Sequence, residues 1–331
     1  MRNRQLPPPS GAGSSSALSA RLDSFISVVS EMSDVFEMKR TASPRFLRAT
    51  AFAHAHAPLA VLPLLALSLR GLVPPWAFMW LMAFALFIGF KWLTYATSKA
   101  SLAPLRTQLF YLAAWPGLAP DEFIRPLPTT RRPTRADWLP PTRLLVAGLI
   151  LTFLVAPRIS YLLVRGWVGM VGLILLLHFG SFHLLALAYR SIGLDARPIM
   201  LQPLRSNSLA DFWGRRWNTA FAALADRHLF RPLARRIGPP AALATVFVVS
   251  GILHEAVITL PAGGGYGLPT LFFSVQAGGL LLERHPAIAA HPVRRRALAW
   301  ILLLGPVGCL FPPVFVEHVI LPMLDLIEPI P

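Results

Sequence analysis

Long apolar runs broken by short polar stretches dominate the chain from Ala51 onward. Seven follow one another: Ala51–Leu69, Leu72–Phe90, Leu144–Leu163, Trp167–Tyr189, Ala241–Leu260, Leu268–Leu282 and Ala297–Phe311. Most approach the ~20 mostly apolar residues a helix needs to cross a hydrocarbon layer about 30 Å thick. Pro157 and Arg158 within the third run predict a shorter or broken span. The last run stops at Pro312-Pro313, and the partly apolar segment after it, to Ile330, reads either as an imperfect eighth span or as an interfacial helix. The pattern predicts an all-α, multi-spanning transmembrane bundle of about seven to eight spans, occupying residues 49–331. Residues 1–48 read as a largely disordered tail: Leu6–Ser16 is rich in Pro, Gly and Ser and cannot bury a core. Arg21–Met38 is a candidate amphipathic helix with Leu22, Phe25, Ile26 and Val29 on one side. No apolar segment follows the first basic residues, so a cleaved signal peptide is not expected.

Charge turns the runs into a topology. Of 331 residues 55% are hydrophobic and only 14% charged, whereas soluble domains carry about 25% charged residues. The net charge of +16 would suggest nucleic acid in a soluble protein, but here the basic residues lie between apolar runs, and no nucleic-acid partner is expected. Lys39, Arg40, Arg45 and Arg48 precede the first span. The second loop holds Lys91, Lys99, Arg106, Arg125, Arg131, Arg132, Arg135 and Arg143, and the fourth holds nine arginines between Arg190 and Arg236. The first loop has only Arg70, the third Arg165, and the fifth, Pro261–Gly267, no charge. The sixth is basic again, with Arg284, Arg294, Arg295 and Arg296, and the C-terminal segment carries only acids. Rich and poor loops alternate, which places the N-terminus and the long loops 91–143 and 190–240 in the cytoplasm. Abundant Ala, Pro, Leu and Arg fit a GC-rich genome, and hence a bacterial inner membrane. The single cysteine, Cys309, excludes an intramolecular disulfide, a Cys-ligated zinc and a CxxC redox pair.

Two places carry candidate chemistry. Ser208-Leu-Ala-Asp211-Phe-Trp213-Gly-Arg215-Arg216-Trp217-Asn218 concentrates aromatics, arginines, an acid and an amide in the fourth loop. Ser208 and Asp211 resemble a capping box, with Asp in place of Glu or Gln. On one continuous helix Trp213, Trp217, Phe221 and Leu224 would share a face, a pattern that an interfacial helix accounts for fully. The same arginines could instead hold the phosphates of an anionic co-substrate. Asp211 and Arg215, four apart, read as a plain helix ion pair. The second place is His254-Glu255, roughly 21 Å into the fifth run. Ionisable groups at that depth face the protein interior or a wet cavity and mark a site, although a His that merely bonds a neighbouring helix is the plainer account. His-Glu-Ala-Val-Ile lacks the second His of HExxH, so no metal is expected. His178 and His183, five apart, do not share a helix face and read as structural hydrogen bonders.

Arg197-Pro198-Ile199, Pro203-Leu204 and the run Ser208–Asn218, followed 36 residues later by His254-Glu255 in an apolar helix, resemble the signatures of the wax synthase-like branch of the membrane-bound O-acyltransferases. Phe90-Lys91 and Trp115-Pro116-Gly117 are similar to the family more weakly. The resemblance covers roughly Ala51–Phe311. It implies acyl-CoA as co-substrate, a lipophilic alcohol as acceptor, and no permanently bound cofactor. It makes His254 the general base and Asn218 its polar partner, with Asp211, Trp213, Arg215, Arg216 and Trp217 around the substrates; membrane lipids are the other partners. The competing class is a transporter or a non-catalytic lipid-binding relative; the sequence has no internal repeat and few acids within spans, which a transporter would more often show. Within the enzyme reading, a small alcohol, a diacylglycerol, or a hydroxyl on a secondary metabolite or sugar remains an alternative acceptor.

Overall fold

A computed structural model describes residues 44–128 and 132–327. The expected tail through residue 43, including Arg21–Met38, lies outside the described residues. The packing described here is that of the compact unit that begins at Ala55.

No strand occurs among the described residues. The principal helices are α1 (Pro44–Ser68), α2 (Pro75–Ala96), α3 (Arg135–Arg158) and α4 (Leu162–Ser191), then two short helices of the fourth loop, α5 (209–216) and α6 (219–237). They are followed by α7 (Pro239–Ala262), α8 (Leu268–Leu282), α9 (Pro292–Leu310) and α10 (Pro313–Leu326). Five helices, α1 to α4 and α7, are long and apolar enough to cross a membrane. The pair α9 and α10, bent by 55° at Pro312, makes a sixth if counted as one. The expected sixth run, α8, has only 15 residues, about 22 Å of rise. Large apolar side chains such as Phe84, Ile88, Leu154, Ile252 and Ile301 are exposed on these helices. In water such surface would drive aggregation; against lipid it is matched. The chain is an integral membrane, all-α helical bundle.

The third span differs from expectation. It starts at Arg135 rather than near Leu144, because Thr134 and Asp137 form a capping box: the Asp137 carboxylate accepts from the Thr134 N–H at 2.7 Å and from its hydroxyl at 2.8 Å. Pro140, Pro141 and Arg143 are thereby drawn into the helix, which ends at Pro157-Arg158, the break the sequence predicted.

Contacts between connections give an independent check on the alternation. On one face the second and fourth loops meet through Arg227–Asp121 at 2.8 Å, Arg197–Glu122 at 3.3 Å, and the Leu127 N–H donating to Gly193 O at 2.8 Å. The sixth loop joins them where Glu283 accepts from the Ala210 N–H at 3.0 Å. On the other face Arg70 reaches Tyr266 at 3.3 Å and Arg165 pairs with Asp325 at 2.5 Å. Even-numbered loops touch one another, and so do odd-numbered ones, so α8 connects the two faces despite its length. The C-terminal segment does not. His318 of α10 meets the Ala262 carbonyl at 3.0 Å and Asp325 near its end meets Arg165. Both contacts are on the odd-loop face. Val316, just before the first, and Val319, Ile320 and Leu324 between them are buried. Of the two readings of residues 312–330, these contacts favour the interfacial helix over an eighth span.

Candidate active site

The second motif is placed by two helices that touch almost backbone to backbone. Gly251 of α7 faces Thr270 of α8 so closely that a Cβ there would lie 2.6 Å from the Thr270 Cα. Small residues permit such approach between membrane helices. It brings Glu255, one turn on, against the start of α8. Its Oε1 accepts from the Thr270 N–H at 3.1 Å and from the Thr270 hydroxyl at 2.9 Å, and its Oε2 accepts from the Thr259 hydroxyl. A carboxylate at a helix N-terminus satisfies donors that have no partner within that helix and opposes its dipole. Glu255 therefore anchors α7 to α8.

His254 points elsewhere. It is half-buried, its ring centroid 4.4 Å from that of Phe273 on α8, and Nδ1 lies 2.7 Å from the Ser250 carbonyl oxygen. A carbonyl only accepts, so this bond requires the proton on Nδ1. In the neutral ring Nε2 then carries the lone pair, the state a general base needs.

The first motif is folded more sharply than a single amphipathic helix. Ser208 caps α5 through its hydroxyl, which accepts from the Asp211 N–H at 3.0 Å. The expected capping box is half formed: the Asp211 carboxylate accepts at 3.3 Å from the N–H of Asn207, one residue before the cap. The expected Asp211–Arg215 ion pair is absent. Residues 212–216 form a π-turn, in which residues five apart share a face, so Asp211 pairs with Arg216, Nε to Oδ2, at 2.7 Å. Burial raises the Asp211 carboxyl, but the bonds from Arg216 and from the Asn207 N–H, with the charge of Arg215, hold it below its ordinary value.

The continuous apolar face expected for Trp213, Trp217, Phe221 and Leu224 is also absent, because the helix breaks at Trp217–Asn218. Asn218 is left-handed, at φ 41° and ψ 59°, a conformation that Asn adopts more readily than most residues. Its Oδ1 accepts from the Phe221 N–H at 3.2 Å and so caps α6. Its backbone N–H approaches the Met200 sulfur at 3.3 Å, and the Thr219 N–H donates to Ile199 O at 3.0 Å, which ties Arg197-Pro198-Ile199 to the rest of the motif. The side-chain NH₂ makes no hydrogen bond among the described residues.

Trp213 and Trp217 face the protein instead of headgroups. The Trp213 indole N–H donates to Gln276 at 3.3 Å, and its ring packs on Phe247, Phe272 and Phe273. Trp217 stacks on Phe212 at 5.4 Å. Ring contacts therefore run from His254 through Phe273, Trp213 and Phe212 to Trp217, the neighbour of Asn218. No hydrogen bond joins His254 to Asn218 directly among the described residues. Arg215, on the far side, is exposed.

Several contributors were not picked out from the sequence. Gln276 is fully buried, and its amide bridges the Trp213 indole to the Leu302 carbonyl, 2.7 Å from Nε2. Glu283, also buried, holds the start of α5; a lone acid closing an apolar run just before an arginine cluster was the available signal. The two weaker resemblances prove to be one contact: the buried Lys91 donates to the Trp115 and Gly117 carbonyls at 2.6 and 2.5 Å, with the Tyr111 ring 3.5 Å away. Two carbonyls and a π-face replace the water that a buried ammonium loses. The hydrogen-bonding role read for His178 is not found: its Nδ1 is buried with no partner among the described residues. No cluster of three or more metal-binding side chains occurs among the described residues. Beside the motif lies a cleft of about 320 Å³, between Asn207–Asp211 and the three arginines Arg215, Arg216 and Arg295.

Residues 196–275, which contain both motifs, match the model of the "Membrane bound O-acyl transferase family". A long-chain-alcohol O-fatty-acyltransferase of Simmondsia chinensis is 28% identical over 149 residues, 40% of this chain and 42% of the relative. A putative long-chain-alcohol O-fatty-acyltransferase 10 of Arabidopsis thaliana is 29% identical over 192 residues, 51% of this chain and 52% of the relative. An acyl-CoA–sterol O-acyltransferase 1 of the same plant is 38% identical over 81 residues, 22% of this chain and 23% of the relative. The chain thus spans about half or less of the length of these relatives. The resemblance to the wax synthase-like branch of the membrane-bound O-acyltransferases is borne out over the segment that carries its motifs.

Proposed function

We propose that this chain, carrying the membrane-bound O-acyltransferase signature over residues 196–275, moves an acyl group from acyl-CoA to the hydroxyl of a lipophilic alcohol. The observation that carries the reading is the 2.7 Å contact of His254 Nδ1 with the Ser250 carbonyl oxygen: an acceptor there calls for the proton on Nδ1, which leaves Nε2 of the neutral ring to accept another. In the reaction Nε2 takes the proton of the acceptor hydroxyl as its oxygen attacks the thioester carbonyl. The carbonyl oxygen gains negative charge, for which the unbonded NH₂ of Asn218 is a suitable donor. When the tetrahedral centre collapses, the C–S bond breaks and the thiolate leaves with the proton returned by His254. No covalent intermediate on the enzyme is required. The aromatic shell between the two motifs excludes water, which favours the alcohol over hydrolysis.

The relatives named for long-chain alcohols and for sterols support an apolar acceptor in either shape. In this reading the basic even-numbered loops and the N-terminus face the cytoplasm, where acyl-CoA is found; the alternation of basic and charge-poor loops supports it. Composition favours a bacterial inner membrane, whereas the relatives named above are plant proteins. The test is transfer from labelled acyl-CoA in detergent to a panel of long-chain alcohols, a sterol and a diacylglycerol. His254→Ala is expected to lower ester formation by roughly a hundredfold or more, the low end for a lost general base. Equal activity of the two proteins removes His254 from the chemistry, and equal inertness across the panel favours a transport or lipid-binding role.

A further inference from the structure

The cleft beside the first motif is built from more of the chain than the motif. Arg215 and Arg216 enter it from α5, but Arg295 comes from the start of α9, beyond the matched family segment. Arg216 is committed to Asp211 at 2.7 Å. Arg215 is exposed and makes no ion pair among the described residues. Arg295 lies between these cases. Its Nε is 3.6 Å from Oε1 of the buried Glu283, an ion pair too long for a hydrogen bond, and that oxygen has no hydrogen-bond partner among the described residues. The other Glu283 oxygen is held by the Ala210 N–H. Glu283 thus steers the Arg295 guanidinium toward the cleft without using its donors.

Three guanidiniums around a polar hollow, with Asp211 and Glu283 opposing only part of their charge, match a phosphate ligand, which planar donor forks bind bidentately. We propose that this cleft is a phosphate site completed by Arg295, and that it takes the phosphorylated nucleotide end of the coenzyme A thioester. The proposal rests on the acyl-transfer reading for its choice of ligand. An anionic lipid headgroup offers the same chemistry, so the experiment separates the two sources.

Thermal-shift titrations in detergent would compare wild type, Arg295→Gln, Arg295→Lys and Arg215→Gln with free coenzyme A, with dephospho-coenzyme A and, in nanodiscs, with phosphatidylglycerol. Arg295→Gln is expected to weaken coenzyme A about tenfold, the loss of one charge-assisted contact, and Arg295→Lys to recover part of it. Arg215→Gln, which leaves Glu283 and its partners untouched, is expected to show a similar loss; this guards against a folding defect at α9. In transfer assays the effect should fall on KM for acyl-CoA and spare an acyl-pantetheine donor that lacks the phosphates. Coenzyme A binding unchanged in both glutamine variants overturns the site. So does equal loss with acyl-pantetheine, or a loss confined to phosphatidylglycerol. Arginine-dependent coenzyme A binding without any acyl transfer upholds the cleft and sinks the acyl-transfer reading instead.

Discussion

Removal of the Glu255 carboxylate should loosen the pair of helices that carries His254. Hydrogen bonds converge on it from the Thr270 N–H at 3.1 Å, the Thr270 hydroxyl at 2.9 Å and the Thr259 hydroxyl. A hydrogen bond to a charged group contributes about 1.5–3 kcal/mol, and bonds that share one acceptor do not add in full. Glu255→Ala should therefore cost about 3–5 kcal/mol, partly because it strands the Thr270 N–H at the start of α8. Glu255→Gln keeps one acceptor and should cost about 1–2 kcal/mol. Thr270→Val loses only a hydroxyl and should cost about 1 kcal/mol. Thermal unfolding in detergent, followed by intrinsic fluorescence, would rank the three variants; Glu255→Ala should unfold several degrees below wild type. Activity should fall with stability in that same order. If Glu255→Ala unfolds with wild-type stability but has lost acyl transfer, the carboxylate takes part in the reaction and the anchoring argument is wrong.

Lys91→Met should destabilise the protein by about 3 kcal/mol, because the Trp115 and Gly117 carbonyls would lose a charged donor in a buried setting; limited proteolysis of the 97–134 connection should accelerate in the variant. The Asp211 carboxyl sits below its ordinary value when folded, so its pairing stabilises above the unfolded value of about 3.9 and is lost as pH falls through the folded one. Arg216→Gln should accordingly unfold more readily than wild type at pH 7 and converge with it in strong acid, whereas Arg215→Gln, which removes a weaker charge effect and no hydrogen bond, should show a smaller gap of the same sign. The face assignment predicts opposite labelling: in a Cys309→Ser background, cysteines introduced at Gly264 and at Asp325 should react from one side of a sealed vesicle and one at Arg236 from the other. Reaction of Gly264 and Asp325 from different sides would mean that α10 crosses.

The apolar runs, the alternation of basic loops and the order of the two motifs were legible because each depends on composition summed over many residues or on a contiguous string. What escaped was set by single backbone choices. The 3.6-residue reading carried one helix through Ser208–Leu224, yet a π-turn at 212–216 and the left-handed Asn218 split it. The split moved the partner of Asp211 from Arg215 to Arg216 and turned both tryptophans inward. A sequence period averages over such events and cannot register one extra residue in a turn. The Asn just before Thr-Ala-Phe-Ala is itself a helix-start signal.

The break also bears on the chemistry. Had the helix continued, the Phe221 N–H would have bonded within the helix and the Asn218 carboxamide would have had no free helix-start donor to hold its oxygen. In the broken form one end of the amide is spent on capping α6 and the other is left with two donors. His254 is arranged in the complementary way, one ring nitrogen spent on Ser250 and the other left as an acceptor. Each candidate group is thus oriented by a bond to backbone and keeps its remaining valence for a ligand. Orientation of this kind is the part of catalysis that a fold must supply before substrate arrives. Between the two groups lie Phe273, Trp213, Phe212 and Trp217, and the rotamer of Trp213 is set by Gln276. Because Phe212 and Trp213 belong to α5 and Phe273 to α8, and Trp213 also packs on Phe247 of α7, a change in the helix packing at Gly251 or at Gln276 is transmitted to both groups. The packing core of the bundle and the wall of the candidate site are therefore one structure.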